Sequence, residues 1–363
     1  MMNKIKVLVI DDSAVTRNLL KNTLSKSRDI EVVGSAIDPI IAVNKIKRLN
    51  PDILTLDIEM PRMDGLTFLS KLMVSRPMPV IMVSSLTENG AKETIKALEL
   101  GAVDFVLKPK LDDEECWNSF SDELIEKVIA ASGAKIKRRI GKTLDGDVDG
   151  IKIEEKYSAD AVISKKRSIE RMQRSDSIIA IGASTGGTEV IAEIITNLQD
   201  DVPGIVIAQH MPEKFTLAFA NRINGVSKLY VKEAEHGDRV YKGVALIAPG
   251  NRHMILKSDV QGYWVEINDG LPVNRHKPSV DVLFRSVANI ASRYSLGILL
   301  TGMGADGAQG LLEIRDAGIK TIAQDEASCV VFGMPAEAIR LGAADMVMNV
   351  DGITRHISEL AVA

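Results

Sequence analysis

Cysteine is scarce in this 363-residue sequence, which contains only Cys116 and Cys329. Two cysteines so far apart predict neither a disulfide framework nor a thiolate metal site, and they are typical of a reducing compartment. The sequence also lacks any apolar run of the ~18–20 residues that a transmembrane helix needs. Acidic residues directly follow the short apolar run near the N-terminus, which argues against a signal peptide. We therefore expect a cytoplasmic protein without direct membrane insertion.

An excess of positive charge is also missing. The chain has 45 Lys and Arg against 49 Asp and Glu, a net charge of −4, which excludes a globally basic nucleic-acid-binding protein. Residues 177–363 show no helix-turn-helix pattern with a basic recognition helix. We therefore expect no nucleic acid among the partners of this protein.

One segment differs in composition from the rest of the chain. Residues 132–176 contain 12 Lys or Arg and 8 Asp or Glu, so that 20 of 45 residues are charged. Such a composition is typical of a solvated linker. Because a chain of this length accommodates two domains of roughly 150 residues each, we predict a first domain over 1–131, a linker over 132–176 and a second domain over 177–363.

Short apolar runs alternate with amphipathic helical patterns on both sides of this linker, which predicts two α/β domains. The five runs before the linker are KVLVI, EVVGSA, ILTLD, PVIMVS and FVLKP. They predict a five-stranded, doubly wound (flavodoxin-like) parallel sheet with the order 2-1-3-4-5. The five runs after it are SIIAIGAS, GIVIAQH, SLGILLTG, IKTIAQDE and DMVMNV. Residues 240–268 contain apolar runs too close together for helices, so we expect a doubly wound, mostly parallel second sheet with an antiparallel edge hairpin.

In the first domain, polar side chains follow four of the predicted strands. Asp11 and Asp12 follow the first strand, Asp57 ends the third, and Ser84 and Lys108 end the fourth and fifth. Because function gathers at the carboxyl ends of parallel strands, we expect these side chains to meet. Three adjacent carboxylates favour a bound cation such as Mg²⁺, and the hydroxyl and ammonium can bind phosphoryl oxygens. Asp57 is therefore a candidate aspartyl-phosphate nucleophile, although each residue alone also fits a cap, a turn or a solvated surface.

The segments VLVIDDSAVTR, LDIEMPRMDG and GAVDFVLKP resemble the response-regulator receiver domain over about residues 1–130. The resemblance implies that Asp57 is phosphorylated. It implies a magnesium site formed by Asp11, Asp12, Asp57 and the backbone carbonyl of Glu59. It also implies that the phosphate is sensed by Ser84, Lys108 and the switch aromatic Phe105.

In the second domain, a serine in a glycine-rich segment is the main candidate for catalysis. Ser184 lies in GASTGG between an apolar strand and a helical pattern, which fits the strand-to-helix turn of a G-x-S-x-G nucleophile. A helix N-terminus that binds phosphate or merely turns is the alternative. His210 ends another buried strand and is the expected base, with His276 as second choice. Asp306 follows a third strand and is the expected orienting carboxylate.

A rival interpretation concerns the same part of the chain. Gly302, Gly304 and Gly307 form G-x-G-x-x-G after a strand, and Asp325 and Glu326 follow about 20 residues later, as in a dinucleotide-binding fingerprint. A carboxylate at position 306, within the turn, would oppose a pyrophosphate. We keep a two-component regulator with a nucleotide-binding or dinucleotide-binding output domain as the alternative function.

The segments GASTGG, AQHMP, APGNRH, NRHKPSVD, TGMGADG and QDEASCVVFGMP resemble the catalytic domain of the chemotaxis protein-glutamate methylesterases (CheB). The resemblance implies Ser184 as nucleophile, His210 as base and Asp306 as orienting group. It further implies an oxyanion donor at the Met303 amide and a site lined by Thr185 and His276.

The implied activity is hydrolysis of glutamyl methyl esters, and deamidation of glutamines, on methyl-accepting chemotaxis receptors. A chemotaxis histidine kinase would be the phosphodonor. Mg²⁺ is implied for the receiver domain and no cofactor for the catalytic domain. The first domain is expected to cover the active site until it is phosphorylated.

Overall fold

The computed structural model describes residues 4–60, 63–109, 114–134, 136 and 173–360. Most of the predicted linker therefore lies outside the described residues. Its last residues pack on the second domain: Gln173 O accepts a hydrogen bond of 3.0 Å from the Lys242 amide, and Ser175 Oγ accepts one of 2.9 Å from the Gly204 amide. The boundaries proposed from composition stay a prediction.

The first domain contains five parallel strands with helices on both faces, in the order β2-β1-β3-β4-β5, as predicted. The strands are β1 (Ile5–Ile10), β2 (Ile30–Ala36), β3 (Ile53–Asp57), β4 (Val80–Ser84) and β5 (Asp104–Leu107). The helices are α1 (Ala14–Leu24), α2 (Pro39–Leu49), α3 (Gly65–Ser75), α4 (Glu88–Leu100) and α5 (Glu114–Ser132). Every residue of β3 and β4 is buried, which is why these strands are continuous apolar runs.

Polar caps fix where the helices of the first domain begin. Ser13, Asp38, Asp64 and Thr87 each accept a hydrogen bond from an amide in the first turn of α1, α2, α3 and α4, respectively. Such caps satisfy amides that have no partner within the helix. Because Ser13 caps α1, only three residues connect β1 to this helix. Asp11 and Asp12 therefore stay at the edge of the sheet.

The second domain contains a sheet of seven strands and a separate hairpin. The sheet strands are β6 (Ile178–Ala183), β7 (Gly204–Gln209), β8 (Tyr230–Glu233), β9 (Val244–Ile247), β12 (Leu296–Leu299), β13 (Lys320–Gln324) and β14 (Met346–Met348). The hairpin strands are β10 (His253–Asp259) and β11 (Gly262–Asn268). The helices are α6 (Gly187–Asn197), α7 (Phe215–Val226), α8 (Val280–Ile290), α9 (Ala308–Asp316), α10 (Met334–Arg340) and α11 (Val350–Glu359).

The antiparallel hairpin is confirmed, and the structure refines its place. β10 and β11 form their own two-stranded sheet, whereas β9, the VALI run of the same segment, pairs in parallel with β7 and β8. β8 was not expected from the sequence, because its four residues are largely half-buried and show no long apolar run. The order is β14-β13-β12-β6-β7-β9-β8, which puts the carboxyl ends of β12, β6 and β7 side by side.

The two domains contact each other through α4, β5 and α5 of the first domain. Phe105 of β5 stacks on Phe215 of α7, with ring centroids 4.6 Å apart and an angle of 11° between the planes. Glu99 of α4 lies 3.8 Å from the Arg222 guanidinium. Aromatic stacking adds to the free energy gained by burying the two rings, so the interface combines an apolar centre with ion pairs.

Among the described residues, no helix is both long and apolar enough to span a bilayer.

Candidate active site

Ser184 lies in a sharp turn between β6 and α6. Its amide donates to Thr301 O at 3.0 Å, and its carbonyl accepts from Gln209 Nε2 at 3.0 Å. Gly186 has a φ of +77°, and a Cβ there would lie 2.5 Å from Val330 Cβ, so only glycine fits this turn. Within the described residues the Ser184 hydroxyl forms no hydrogen bond, so the turn holds the backbone and leaves Oγ available.

His210 directly follows β7, next to the end of β6. Its amide donates to Ala183 O at 3.2 Å, which places it beside the turn of Ser184. Its Nε2 lies 2.8 Å from Asp306 Oδ2, while its buried Nδ1 has no hydrogen-bond partner in the described part of the chain. With Nε2–H donating to the carboxylate, the lone pair of Nδ1 can accept a proton.

Asp306 is almost completely buried, with 2% exposure, and is surrounded by donors. Its Oδ1 accepts hydrogen bonds from Asn274 Nδ2 at 2.8 Å and Ser279 Oγ at 2.9 Å, and its Oδ2 also accepts one from the Val280 amide at 2.7 Å. Burial alone would raise the pKa of Asp306, but the hydrogen bonds and the nearby His210 hold that pKa below its usual range. The carboxylate therefore stays ionised and can orient the imidazole of His210.

Asn274 and Ser279 also belong to this candidate site, and no sequence pattern had singled them out. Both lie in the segment NRHKPSVD, where only His276 was singled out. Asn274 adopts a positive φ of 51°, and its amide also donates to Asp281 at 2.7 Å. Two donors, two and three residues from His276, were visible in the motif, but their approach to Asp306 depends on the tertiary fold.

His276 lies flat against His210 and does not take the place of the base. The two ring centroids are 3.7 Å apart and the planes differ by 16°. Burial, followed by repulsion from His210, lowers the pKa of His276 to about 4. His276 is therefore neutral near pH 7, and the ring bonded to Asp306 is that of His210.

The backbone around Met303 lies next to Ser184. A Cβ on Gly302 would come within 2.8 Å of Ser184 Cβ, and Gly302 O accepts from the Met334 amide at 2.8 Å. Among the described residues, the Met303 amide donates no hydrogen bond. A fixed and uncommitted N–H close to a nucleophile has the properties required of an oxyanion donor.

The glycine-rich turn at 302–307 does not resemble a pyrophosphate site. Asp281 Oδ1 accepts hydrogen bonds from the amides of Gly307 at 3.0 Å and Gly310 at 2.7 Å, so a carboxylate already occupies the N-terminus of α9, where a dinucleotide phosphate would bind. Asp306, in the same turn, is bonded to His210.

Burial raises the pKa of the Cys329 thiol to about 12, so this cysteine is not a thiolate nucleophile.

Thr185, next to the candidate nucleophile, is covered by the first domain. Its Oγ1 donates a hydrogen bond of 2.5 Å to Asp104 Oδ2. Arg275, beside His276, lies 3.6 Å from Glu126 Oε1 of α5. The candidate active site is therefore at the interface, and the receiver-like domain contacts residues on both sides of it.

A second cluster of polar residues lies at the carboxyl edge of the first sheet. Asp11, Asp12 and Asp57 can place three ligand oxygens within 4.8 Å of one another. Lys108 Nζ lies 2.7 Å from Asp57 Oδ2 and 3.3 Å from Asp11 Oδ2, yet Asp11 Oδ2 accepts no hydrogen bond in the described chain. Burial raises the pKa of Asp57 to about 6 and also raises that of Asp11. The single ammonium of Lys108 does not neutralise all three carboxylates. The oxygen donors of Asp11, Asp12 and Asp57 fit a hard divalent cation.

The remaining predicted residues of this cluster lie around it. Glu59 is exposed and lines a cavity of about 530 Å³ together with Asp12, Asp57 and Lys108. Ser84 ends β4, and its hydroxyl accepts a hydrogen bond of 2.7 Å from Thr94 Oγ1 of α4. Phe105 does not join the cluster in this arrangement, since it is 3% exposed and stacked on the second domain.

Comparisons with known proteins agree with these two sites. The family model for the response regulator receiver domain matches residues 7–116, and that for the CheB methylesterase matches residues 179–357. A protein-glutamate methylesterase/protein-glutamine glutaminase of Geobacter metallireducens is 52% identical over 97% of this chain and 95% of its own length. The chain belongs to this methylesterase family. The resemblance predicted from the sequence is thereby confirmed, including the hydrolase class and the pairing with a receiver domain.

A further relative and a solved structure also match this chain. The protein-glutamate methylesterase/protein-glutamine glutaminase of Nitrosomonas europaea is 50% identical over 98% of this chain and 96% of its own length. The crystal structure of the Thermotoga maritima CheB methylesterase catalytic domain matches with a TM-score of 0.50 and 39% identity, over 51% of this chain and 99% of that one. None of these matches supports a dinucleotide-binding output domain.

Proposed function

We propose that this protein hydrolyses γ-glutamyl methyl esters, and deamidates glutamine side chains, on methyl-accepting chemotaxis receptors. Phosphorylation of Asp57 by a chemotaxis histidine kinase would raise the activity. The observation that carries the catalytic part is the contact of 2.8 Å between His210 Nε2 and Asp306 Oδ2 beside the turn of Ser184. The names of the relatives support the substrate class, and we assign the protein to the cytoplasm on the sequence grounds given above.

The proposed reaction has two steps through an acyl-serine. Ser184 Oγ attacks the ester carbonyl while His210 Nδ1 takes the hydroxyl proton, and the Met303 amide stabilises the oxyanion. His210 then returns this proton to the departing methanol. A water molecule, deprotonated by His210, releases the glutamate carboxylate and regenerates the serine. With a glutamine substrate the leaving group is ammonia. Asp306 stays ionised throughout and keeps Nε2 protonated.

In the receiver domain, Asp57 would be the phosphoryl acceptor. Asp11, Asp12, Asp57 and the Glu59 carbonyl would hold a Mg²⁺ ion, which when bound neutralises the carboxylates and the incoming phosphoryl oxygens. Lys108 would bind one phosphoryl oxygen and Ser84 another. The Ser84 hydroxyl accepts its bond from Thr94, so its own proton would be the one donated to the phosphate.

The first domain would act as a cover over the active site. Thr185 and Arg275 are engaged by Asp104 and Glu126, so a receptor segment cannot contact them in this arrangement. An acyl phosphate at Asp57 would favour an arrangement in which the cover has moved away. If a fragment of residues 177–363 were no more active than the unphosphorylated whole chain, this part of the proposal would fail.

The decisive experiment is methanol release from methylated receptors, measured with and without Mg²⁺ and a small phosphodonor. Ser184→Ala should abolish methanol release in both conditions, because no other described group replaces the nucleophile. Ser258→Ala, in the exposed hairpin, is the matched control and should behave as the unchanged protein. Methanol release by Ser184→Ala would refute the catalytic assignment.

A further inference from the structure

Gln209, the last residue of β7, connects the nucleophile and the base of the proposed reaction. Its Nε2 donates hydrogen bonds to Ser184 O at 3.0 Å and to His210 O at 3.3 Å. A side-chain amide carries two N–H groups, so one side chain supplies both bonds. The Gln209 amide therefore joins the backbones of the two residues between which the proposed mechanism transfers a proton.

The side chain of Gln209 is buried, and its surroundings fix its orientation. It is 2% exposed, and exchanging its Oε1 and Nε2 atoms would turn an acceptor towards two carbonyl oxygens. Oε1 itself has no hydrogen-bond partner in the described part of the chain. It lies beside the first turn of α6, since a Cβ on Gly187 would be 2.4 Å from it. The glycine at 187 thus leaves the space that the amide needs.

Packing alone does not explain a glutamine at this position. A buried acceptor without a partner is destabilising. Methionine has an unbranched side chain of similar length and would fill the same space without a polar atom that needs a partner. What distinguishes glutamine from methionine here is the pair of N–H groups, and both of them point to the candidate catalytic residues.

Two links hold the ends of β6 and β7 together at the site. The first is the bond from the His210 amide to Ala183 O, at 3.2 Å, which lies on the strand side of both candidate residues. The second is the Gln209 amide, which lies on the loop side. The Gly187 amide also donates to Ser184 O, at 2.7 Å, but this bond is internal to the turn. On the loop side, the spacing between the two backbones therefore depends on Gln209.

We propose that Gln209 is a positioning residue whose amide fixes the backbone of Ser184 relative to that of His210, and so sets the approach of the serine hydroxyl to Nδ1. Gln209 itself exchanges no proton and, being buried, contacts no substrate. This inference rests on the proposed function and deepens it. A displacement of reacting groups by about 1 Å can cost about 10²-fold in rate, so a single lost link has a measurable effect.

The first test is Gln209→Met in the full chain, with phosphodonor and Mg²⁺ present. The kcat for methanol release should fall by about 10²-fold, whereas KM should stay within about threefold, because only the alignment of the reacting groups has changed. The matched control is Thr321→Val. Thr321 is also fully buried, and its hydroxyl donates to Ala343 O at 2.7 Å and accepts from the Asp345 amide at 3.0 Å. It lies near the start of β13, at the opposite edge of the sheet.

This control should lower the thermal unfolding midpoint (Tm) and leave kcat unchanged. An equal loss of kcat in both variants, or a normal kcat in Gln209→Met, would overturn the inference. A rise in KM at normal kcat would do so as well, because the side chain would then serve substrate binding.

Gln209→Glu makes pH a second readout, which decides the question even if Gln209→Met does not fold. An ionised glutamate has no donor, but its protonated form has one O–H group that can bond to a carbonyl. Burial beside two carbonyl oxygens favours that form. The rate of this variant relative to the unchanged protein should therefore rise about threefold or more from pH 9 to pH 6, since the ratio removes the titration of His210 that both share. A ratio that does not depend on pH would contradict the inference.

Failure of this inference is distinguishable from failure of the proposed function. If the unchanged protein released methanol, Ser184→Ala did not, and Gln209→Met were normal, the inference alone would fall. If the unchanged protein released no methanol under any condition, or Ser184→Ala still released it, the proposed function would fall with it.

Discussion

The substitution Asp306→Asn tests whether the carboxylate sets the protonation of His210. Both oxygens of Asp306 face donors: Oδ1 faces Asn274 and Ser279, and Oδ2 faces His210 and the Val280 amide. An amide group has one acceptor and one donor end. In either orientation, its NH₂ group meets groups that themselves donate.

The expected loss of activity follows from this geometry. If the NH₂ of Asn faces His210, Nε2 becomes the acceptor and the ring proton moves to Nδ1, which then cannot accept the serine proton. An aspartate-to-asparagine change with this effect on the tautomer costs about 10⁴-fold in kcat in serine proteases, or about 5 kcal/mol in the activation free energy. The measurement is the rate of methanol release in the presence of phosphodonor and Mg²⁺.

Asp281→Asn provides the control for charge and packing. Asp281 lies beside Asp306 and accepts the amides of Gly307 and Gly310, but it makes no hydrogen bond with His210 in the described chain. We expect its replacement to lower the rate by less than about tenfold, because it weakens a helix cap and lowers stability without changing the partner of His210. Equal losses in both variants, or more than a tenth of normal activity in Asp306→Asn, would refute the tautomer argument.

Three further outcomes are expected. Asp57→Asn should keep the rate without phosphodonor and abolish its increase, and chelation of Mg²⁺ should do the same in the unchanged protein; an increase in either case would contradict the assignment. Gly302→Ala should lower kcat by about 10²-fold or more, as for loss of an oxyanion donor, because the new Cβ would lie 2.2 Å from Met334 Sδ and 2.8 Å from Ser184 Cβ. Since the pKa of His276 is lowered from 6.5 to about 4, the unfolded state binds more protons at this residue between these values, and His276 alone should lower the stability by about 2 kcal/mol from pH 7 to pH 5, against an opposite contribution of Asp57, whose pKa is raised to about 6. Urea unfolding of His276→Phe should show a smaller fall, and an unchanged pH dependence would contradict the shift.

The sequence alone was sufficient to predict those parts of the two sites that lie at strand ends. The order of the first sheet follows from five alternating runs, and the ends of β6, β7 and β12 are adjacent, so that Ser184, His210 and the loop of Asp306 meet as expected. Strand ends can be located from apolar runs because burial on both faces selects such runs. The predicted roles of these residues remain proposals.

The sequence was insufficient where a contact depends on a loop or on another domain. Asn274 reaches Asp306 through two successive residues with positive φ, at 274 and 275, a conformation that no local pattern around them required. β9 belongs to the main sheet because it pairs with β7, and β8, which pairs with β9 at the edge, is short, half-buried and without a long apolar run. The bond between Asp104 and Thr185 spans 81 positions, so periodicity within either domain contains no information about it.

The short strand β5 links the two sites through its ends. Lys108, directly after β5, binds Asp57 at 2.7 Å, and Asp104, the first residue of β5, binds Thr185 of the second domain. Four residues of strand cover only about 13 Å, and Phe105, stacked on Phe215, lies between these ends. A phosphoryl group that draws Lys108 away from Asp57 therefore acts at one end of the strand whose other end carries the Asp104–Thr185 contact. Because strands resist stretching, a displacement at Lys108 is transmitted to Asp104 more directly than through any loop, so weakening of the Thr185 contact is expected to accompany phosphorylation at Asp57.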